Sequence, residues 1–206
     1  MDPPQPGTTV LPSGKNLEPR GRKLTGERVP ERIRWAVRTM APGPDDHLLE
    51  IGCGPGVAVA HVCQRLAGGQ IVAFDRSATA IGRAARRAAA CVAAGKAVLR
   101  TAALESLTPE DLLDGREGFD KVFAMNVNLF WVRAPVRELD LIRAVLRPGG
   151  TLFLFYGYGT PGQGEPRVPE ALFDHLADGG FTAESRTGPS VLGVAATPVR
   201  SRRRRA

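Results

Sequence analysis

Apolar residues along this chain keep two alternating rhythms. Short, mostly apolar runs fall at 47–51, 70–75, 97–100, 120–125 and 151–156. Runs of that length, set off by Gly, Pro and polar residues, predict buried strands. Between them apolar positions return every three or four residues, the helical period. One such stretch runs from about Gly56 to Leu66 and stops at Gly68-Gly69. A second, alanine-rich, opens on Ser77 as N-cap and ends near Gly95. A short helix is predicted over 108–114, and another opens at Pro135 and carries Val136, Leu139, Ile142, Val145 and Leu146. Ahead of the first strand, Pro30 introduces a helix with Ile33, Trp35, Ala36 and Met40, expected to pack on the domain.

Strands and amphipathic helices in alternation imply parallel pairing with crossover helices, hence a three-layer α/β domain. The end breaks the rhythm. A helix near 168–178 leads through Gly179-Gly180 to apolar runs at 181–185 and 191–196. Two strands joined that closely predict an antiparallel hairpin and bring the strand count to seven. Residues 1–27, rich in Pro, Gly and polar residues without a period, are read as disordered. The expected domain spans 28–199, and 200–206 form a basic disordered tail.

Composition adjusts this picture in a few places. The formal charge of +7 suggests nucleic acid, but residues 47–199 carry 15 basic and 15 acidic side chains. The excess sits at the ends, above all in Arg200 and Arg202-Arg203-Arg204-Arg205. A solvated tail is the expected reading, with nonspecific contact to RNA or anionic lipid the alternative. No apolar run approaches the ~20 residues of a membrane helix, and the N-terminus lacks a signal-peptide pattern. A cytoplasmic protein without a membrane span is expected. Cys53, Cys63 and Cys91 are odd in number, form no Cys-x-x-Cys and lie among apolar or small residues. All three are read as buried free thiols. His47, His61 and His175 are scattered, so no metal site is expected.

The chemistry concentrates where the first strand ends, in Glu50-Ile51-Gly52-Cys53-Gly54-Pro55-Gly56. Glycines at alternate positions let a buried strand turn sharply and let a ligand lie against bare backbone. In open α/β sheets, ligands bind at the carboxyl ends of the strands. Asp75 ends the second strand about 20 residues on, the place of an acid that binds ribose hydroxyls. A nucleoside-containing cofactor is therefore expected. A dinucleotide fits poorly. Its Gly-x-Gly-x-x-Gly signature needs a glycine at 57, where this chain has Val57, and Glu50 would stand close to a pyrophosphate. Glu50 suits a ligand with a cationic end, such as S-adenosylmethionine (SAM).

These residues resemble the SAM-binding signature of class I methyltransferases. Asp75, the segment Phe119 to Asn126 and the turn Leu146-Arg147-Pro148-Gly149-Gly150 before the fifth strand match that family in order, over residues 30–199. The resemblance implies a Rossmann-like sandwich whose mostly parallel seven-stranded sheet ends in an antiparallel strand. It also implies that Gly52, Cys53, Gly54 and Gly56 lie beneath the methionine part of SAM, and that Glu50 organises the loop and its ammonium end. Asp75 would bind the ribose, and Arg76 would lie beside the adenosine. Ala103 and Leu104 occupy the adenine position, where the family's usual acid is missing although Glu105 is close. Met125 and Asn126 would border the methionine. Asp75 also reads as a cap for the helix at Ser77, and Asn126 as a turn residue.

Methyl transfer from a sulfonium is an in-line displacement that depends chiefly on orientation. No motif for a general base is visible. The acceptor is expected beyond the fourth and fifth strands, near Asn128, Phe130, Trp131, Tyr156 and Tyr158. Trp131 fits either stacking on a flat acceptor or packing under a helix. The chain lacks the Asn/Asp-Pro-Pro-Tyr and Pro-Cys motifs of DNA-methylating enzymes. A small molecule is the expected acceptor, with RNA or protein open because the tail is basic. Two other classes stay open: an NAD(P)-dependent oxidoreductase and a non-catalytic SAM-binding module.

Overall fold

The computed structural model describes residues 29–157, 170–188 and 191–199. The readings of 1–27, 200–206 and Tyr158 lie outside them. Seven strands make one sheet: β1 (His47–Ile51), β2 (Gln70–Asp75), β3 (Ala97–Thr101), β4 (Phe119–Met125), β5 (Leu146–Tyr156), β6 (Phe181–Gly188) and β7 (Val191–Pro198). Their order is β3-β2-β1-β4-β5-β7-β6. The first five pair in parallel, β7 runs antiparallel to β5, and β6 antiparallel to β7. The mostly parallel Rossmann-like sheet with a reversed strand is as expected. The final hairpin folds back so that β7 lies inside and β6 takes the edge.

The helices are α1 (Glu31–Met40), α2 (Val57–Cys63), α3 (Ala78–Arg87), α4 (Ala89–Ala93), α5 (Pro109–Leu113), α6 (Leu129–Val132), α7 (Val136–Val145) and α8 (Glu170–Asp178). They cover both faces of the sheet, which is why the central strands read as mostly apolar runs rather than alternating ones. Successive β1 residues show the two layers. Leu48 packs into a cluster with Val37, Met40, Val59 and Val62 of α1 and α2. Leu49 and Ile51 join Leu139, Ile142, Leu172 and Leu176 of α7 and α8 on the opposite face. Trp35 of α1 packs edge-on against Phe155 at 6.0 Å. A Cβ on Gly188 would lie 2.2 Å from its indole, so that glycine makes the slot the ring fills.

The sequence reading needs three corrections. The helix expected from 77 to 95 is two, because the chain leaves helical geometry at buried Ala88 (φ −99°, ψ 21°). The fifth strand starts at Leu146 rather than 151 and pairs with β4 across a register shift between Phe119 and Lys121. Cys63 and Cys91 are not free thiols but a disulfide, with Cα atoms 6.3 Å apart. The break at Ala88 sets α4 beside the end of α2, a proximity that 28 residues of separation conceal. Cys53 is free and buried, as expected.

Candidate active site

The registers align the carboxyl ends of the central strands. Ile51 pairs with Phe74 of β2 and Ala124 of β4, and Met125 with Phe155 of β5. The glycine turn leaves β1 at this edge, held by N–H bonds from Gly52 and Cys53 to the Phe74 carbonyl at 2.9 and 3.0 Å. Gly56 (φ +73°) caps α2, and a Cβ there would stand 2.6 Å from the Ala84 Cβ of α3. Gly54 (φ +51°) is different, for its missing side chain would meet nothing within 4 Å. One glycine thus packs helix to turn, and the other leaves backbone facing open space.

Glu50 lies beneath this turn, 2 % exposed, and its Oε2 has no hydrogen-bond partner. Burial, and then the charge of Asp75, push its pKa well above the usual carboxylate range. Burial also raises the Cys53 thiol to about 12, with Glu50 and Asp75 adding to the effect. Cys53 is therefore a neutral packing group, not a nucleophile.

Asp75 builds the loop it faces. One carboxylate oxygen accepts the Gly54 N–H at 2.9 Å, and the other accepts the Ser77 N–H at 2.8 Å. The ribose and helix-cap readings are compatible, since each carboxylate oxygen retains acceptor capacity. Ser77 caps α3 as expected, its Oγ accepting the Ala80 N–H at 3.2 Å.

A cleft of about 550 Å³ opens between these strand ends. Of the residues read from sequence, Gly52, Asp75, Arg76, Ala103, Leu104, Met125, Asn126 and Asn128 line it. Asn126 takes a left-handed conformation (φ +56°), and its side chain clasps Gly157 in both directions, at 2.8 and 3.2 Å. Tyr156 is buried and donates its hydroxyl to the Val127 carbonyl at 3.2 Å. Trp131 packs edge-on against Tyr156, and Phe130 is wholly buried. Neither Trp131 nor Tyr156 lines the cleft. His61 and His175 also lie outside it. His61 is depressed by burial and then by Arg65, Arg34 and Arg38, while the His175 ring contacts the Phe130 carbonyl at 3.1 Å.

Sequence reasoning missed Val127 and Arg133. The Val127 side chain walls the turn, leaving no room for a Cβ on Gly52. Arg133 lines the cleft and forks onto buried Glu138 at 2.5 and 3.4 Å. Their spacing of five residues spans a loop and the start of α7, so no helical period announces it.

A family model for the methyltransferase domain matches residues 49–152, about half of the chain, from β1 into β5. The chain belongs to that family. It is a methyltransferase. No curated protein matches the chain in sequence. Solved structures share the fold. Magnesium protoporphyrin IX methyltransferase from Synechocystis PCC 6803 with bound SAM has 19 % identity and a TM-score of 0.57, covering 81 % of this chain and 76 % of that one. The glycopeptide N-methyltransferase MtfA has 14 % identity and a TM-score of 0.61, with 82 % and 90 % coverage. The [4+2]-cyclase SpnF has 17 % identity and a TM-score of 0.61, with 82 % and 80 % coverage. A cyclase among them shows that fold alone does not name a reaction. The methyltransferase's reversed β7 also departs from the strand order 3-2-1-4-5-6 of dinucleotide dehydrogenases.

Proposed function

We propose that this methyltransferase holds SAM in the cleft at the carboxyl ends of β1, β2 and β4. It passes the methyl group to a small-molecule acceptor that approaches past Asn126 and Asn128. The observation that carries this reading is Glu50, a buried acid with an unpartnered oxygen under a glycine turn open to a cleft. A buried carboxylate is strongly disfavoured unless a cation or hydrogen bonds compensate it. The ammonium end of SAM would supply that compensation, directly or through the turn.

When bound, SAM supplies a methyl group activated for in-line displacement by the positive sulfonium. The chain's own residues position the reactants. Asp75 fixes the turn and offers its remaining lone pairs to the ribose hydroxyls. Leu104 and Leu129 form apolar walls suited to a nucleobase. Among the described residues, the cleft lining holds no histidine or cysteine. Orientation of the reactants alone can supply roughly 7–11 kcal/mol in favourable cases. Methyltransferases that share the fold include ones named for a porphyrin, a glycopeptide and mitomycin, which supports a small acceptor.

Calorimetric titration with SAM, with its demethylated product S-adenosylhomocysteine (SAH) and with NAD(P) tests the reading. The first two should bind and the last should not. Binding of the dinucleotide alone would overturn the assignment. A radiolabelled-methyl screen should then favour small acceptors over RNA and protein.

A further inference from the structure

The nucleobase end of the cleft departs from the family resemblance in one respect. The expected acid is replaced by Ala103, whose carbonyl is already used by the N–H and Oγ of Ser106, at 3.0 and 2.8 Å. Two charged side chains stand beside each other at this end, lining both the cleft and a neighbouring cavity of about 730 Å³. Glu105 rises from a short 3₁₀ turn, Leu104–Ser106, after β3, and Arg133 follows α6. Both line the cleft, and Arg133 Nη2 lies 3.9 Å from Glu105 Oε1. Each side chain keeps about half its surface exposed, at 59 % and 49 %. Arg133 is anchored from behind by the fork onto Glu138, whose side chain is only 5 % exposed. The fork leaves part of its five-donor guanidinium for other partners.

Together the pair presents an acceptor beside a donor. Adenine offers the complement, an N6 amine that donates next to ring nitrogens that accept. We infer that Glu105 and Arg133 together recognise the adenine edge of the cofactor, a role displaced two residues along the chain and shared between the two. Glu105 accepts from the exocyclic amine, Arg133 donates to a neighbouring ring nitrogen, and Glu138 holds Arg133 in reach. This rests on the SAM reading proposed above.

The test compares two ligands by calorimetry. One is SAH and the other is its 6-oxopurine analogue S-inosylhomocysteine, in which the amine becomes a carbonyl and N1 gains a proton. The wild-type protein should bind SAH at least ~10-fold more tightly, because a site built around a polar group rejects the analogue that lacks it. In Glu105→Gln, whose amide both donates and accepts, the preference should fall to about 3-fold or less. Arg133→Met should weaken SAH binding and, by leaving buried Glu138 without its partner, also lower the melting temperature. The double variant Arg133→Met/Glu138→Gln removes that buried charge and should show the same loss of SAH affinity in a protein whose thermal melt confirms that it folds, while Glu105 is exposed enough for its own variant to fold. Unchanged discrimination in Glu105→Gln, or undiminished SAH affinity in Arg133→Met, overturns the inference. Failure of the wild-type protein to bind SAH at all would instead sink the SAM assignment itself.

Discussion

At the residue scale, Glu50 is a buried acid that works against stability, as a group proposed to meet a cationic ligand would. Its pKa is raised in the folded protein, so the native state binds more protons than the unfolded chain above the ordinary glutamate value. Linkage then makes this group's contribution fall as pH rises from that value through the elevated one. Glu50→Gln removes the ionisation. It should raise the melting temperature relative to wild type at alkaline pH, by a margin that grows as pH rises. The same variant should lose roughly tenfold or more in SAH affinity. A melt and a titration on one sample check both, and a lower melting temperature with unchanged affinity would show that Glu50 is purely structural.

Asp75 behaves differently because it is tied into the turn. Asp75→Ala deletes the acceptors of Gly54 and Ser77 along with any contact to ribose. SAH binding should weaken by at least ~1.5–3 kcal/mol, the value of hydrogen bonds to a charged group, and the melting temperature should fall too. Unchanged affinity in calorimetry would remove Asp75 from the site. The importance of both acids was legible in the sequence because each ends an apolar strand beside a glycine turn. The clasp of Asn126 on Gly157 was not, since the two stand 31 positions apart in the chain.

At the element scale, strand positions followed from the apolar runs, and β1 and β2 match their predicted limits, 47–51 and 70–75. Breaks inside helices were harder to read, because alanine-rich sequence supports one long helix as well as two short ones. The break at Ala88 matters because it creates the α2–α4 disulfide. That bond closes a loop containing β2, Asp75 and α3, one side of the cleft. For a loop of this length the chain-entropy model assigns roughly 3–4 kcal/mol. Reduction, or the double variant Cys63→Ser/Cys91→Ser, should therefore lower the melting temperature by roughly 6–16 °C. Thiol titration of the unfolded protein should find one free thiol before reduction and three after it. Three at the outset would refute the bond.

At the scale of the whole molecule, charge and fold are separate. Residues 47–199 are balanced and the basic excess lies at the ends. The last described backbone bond, from the Val199 N–H to the Gly180 carbonyl at 2.8 Å, closes the domain before the arginine run. Deleting residues 200–206 should leave melting temperature and SAH affinity unchanged, while weakening any salt-sensitive binding to RNA or anionic vesicles. Loss of SAH binding on truncation would tie the tail to the site. Among the described residues, no helix is long and apolar enough to cross a membrane.

The amino-acid sequence by itself determined the layered α/β architecture, the glycine turn and its two acids. These depend on local periodicity and on backbone freedom at particular residues. Tertiary structure alone decided which distant side chains meet: Arg133 with Glu105 and Glu138, Cys63 with Cys91, and Trp35 in the slot left by Gly188. Such meetings depend on how helices and loops dock on the sheet, and no spacing along a chain encodes a contact between elements. The turn points to the proposed methyl donor through local chemistry, whereas the cleft around it takes its shape from packing.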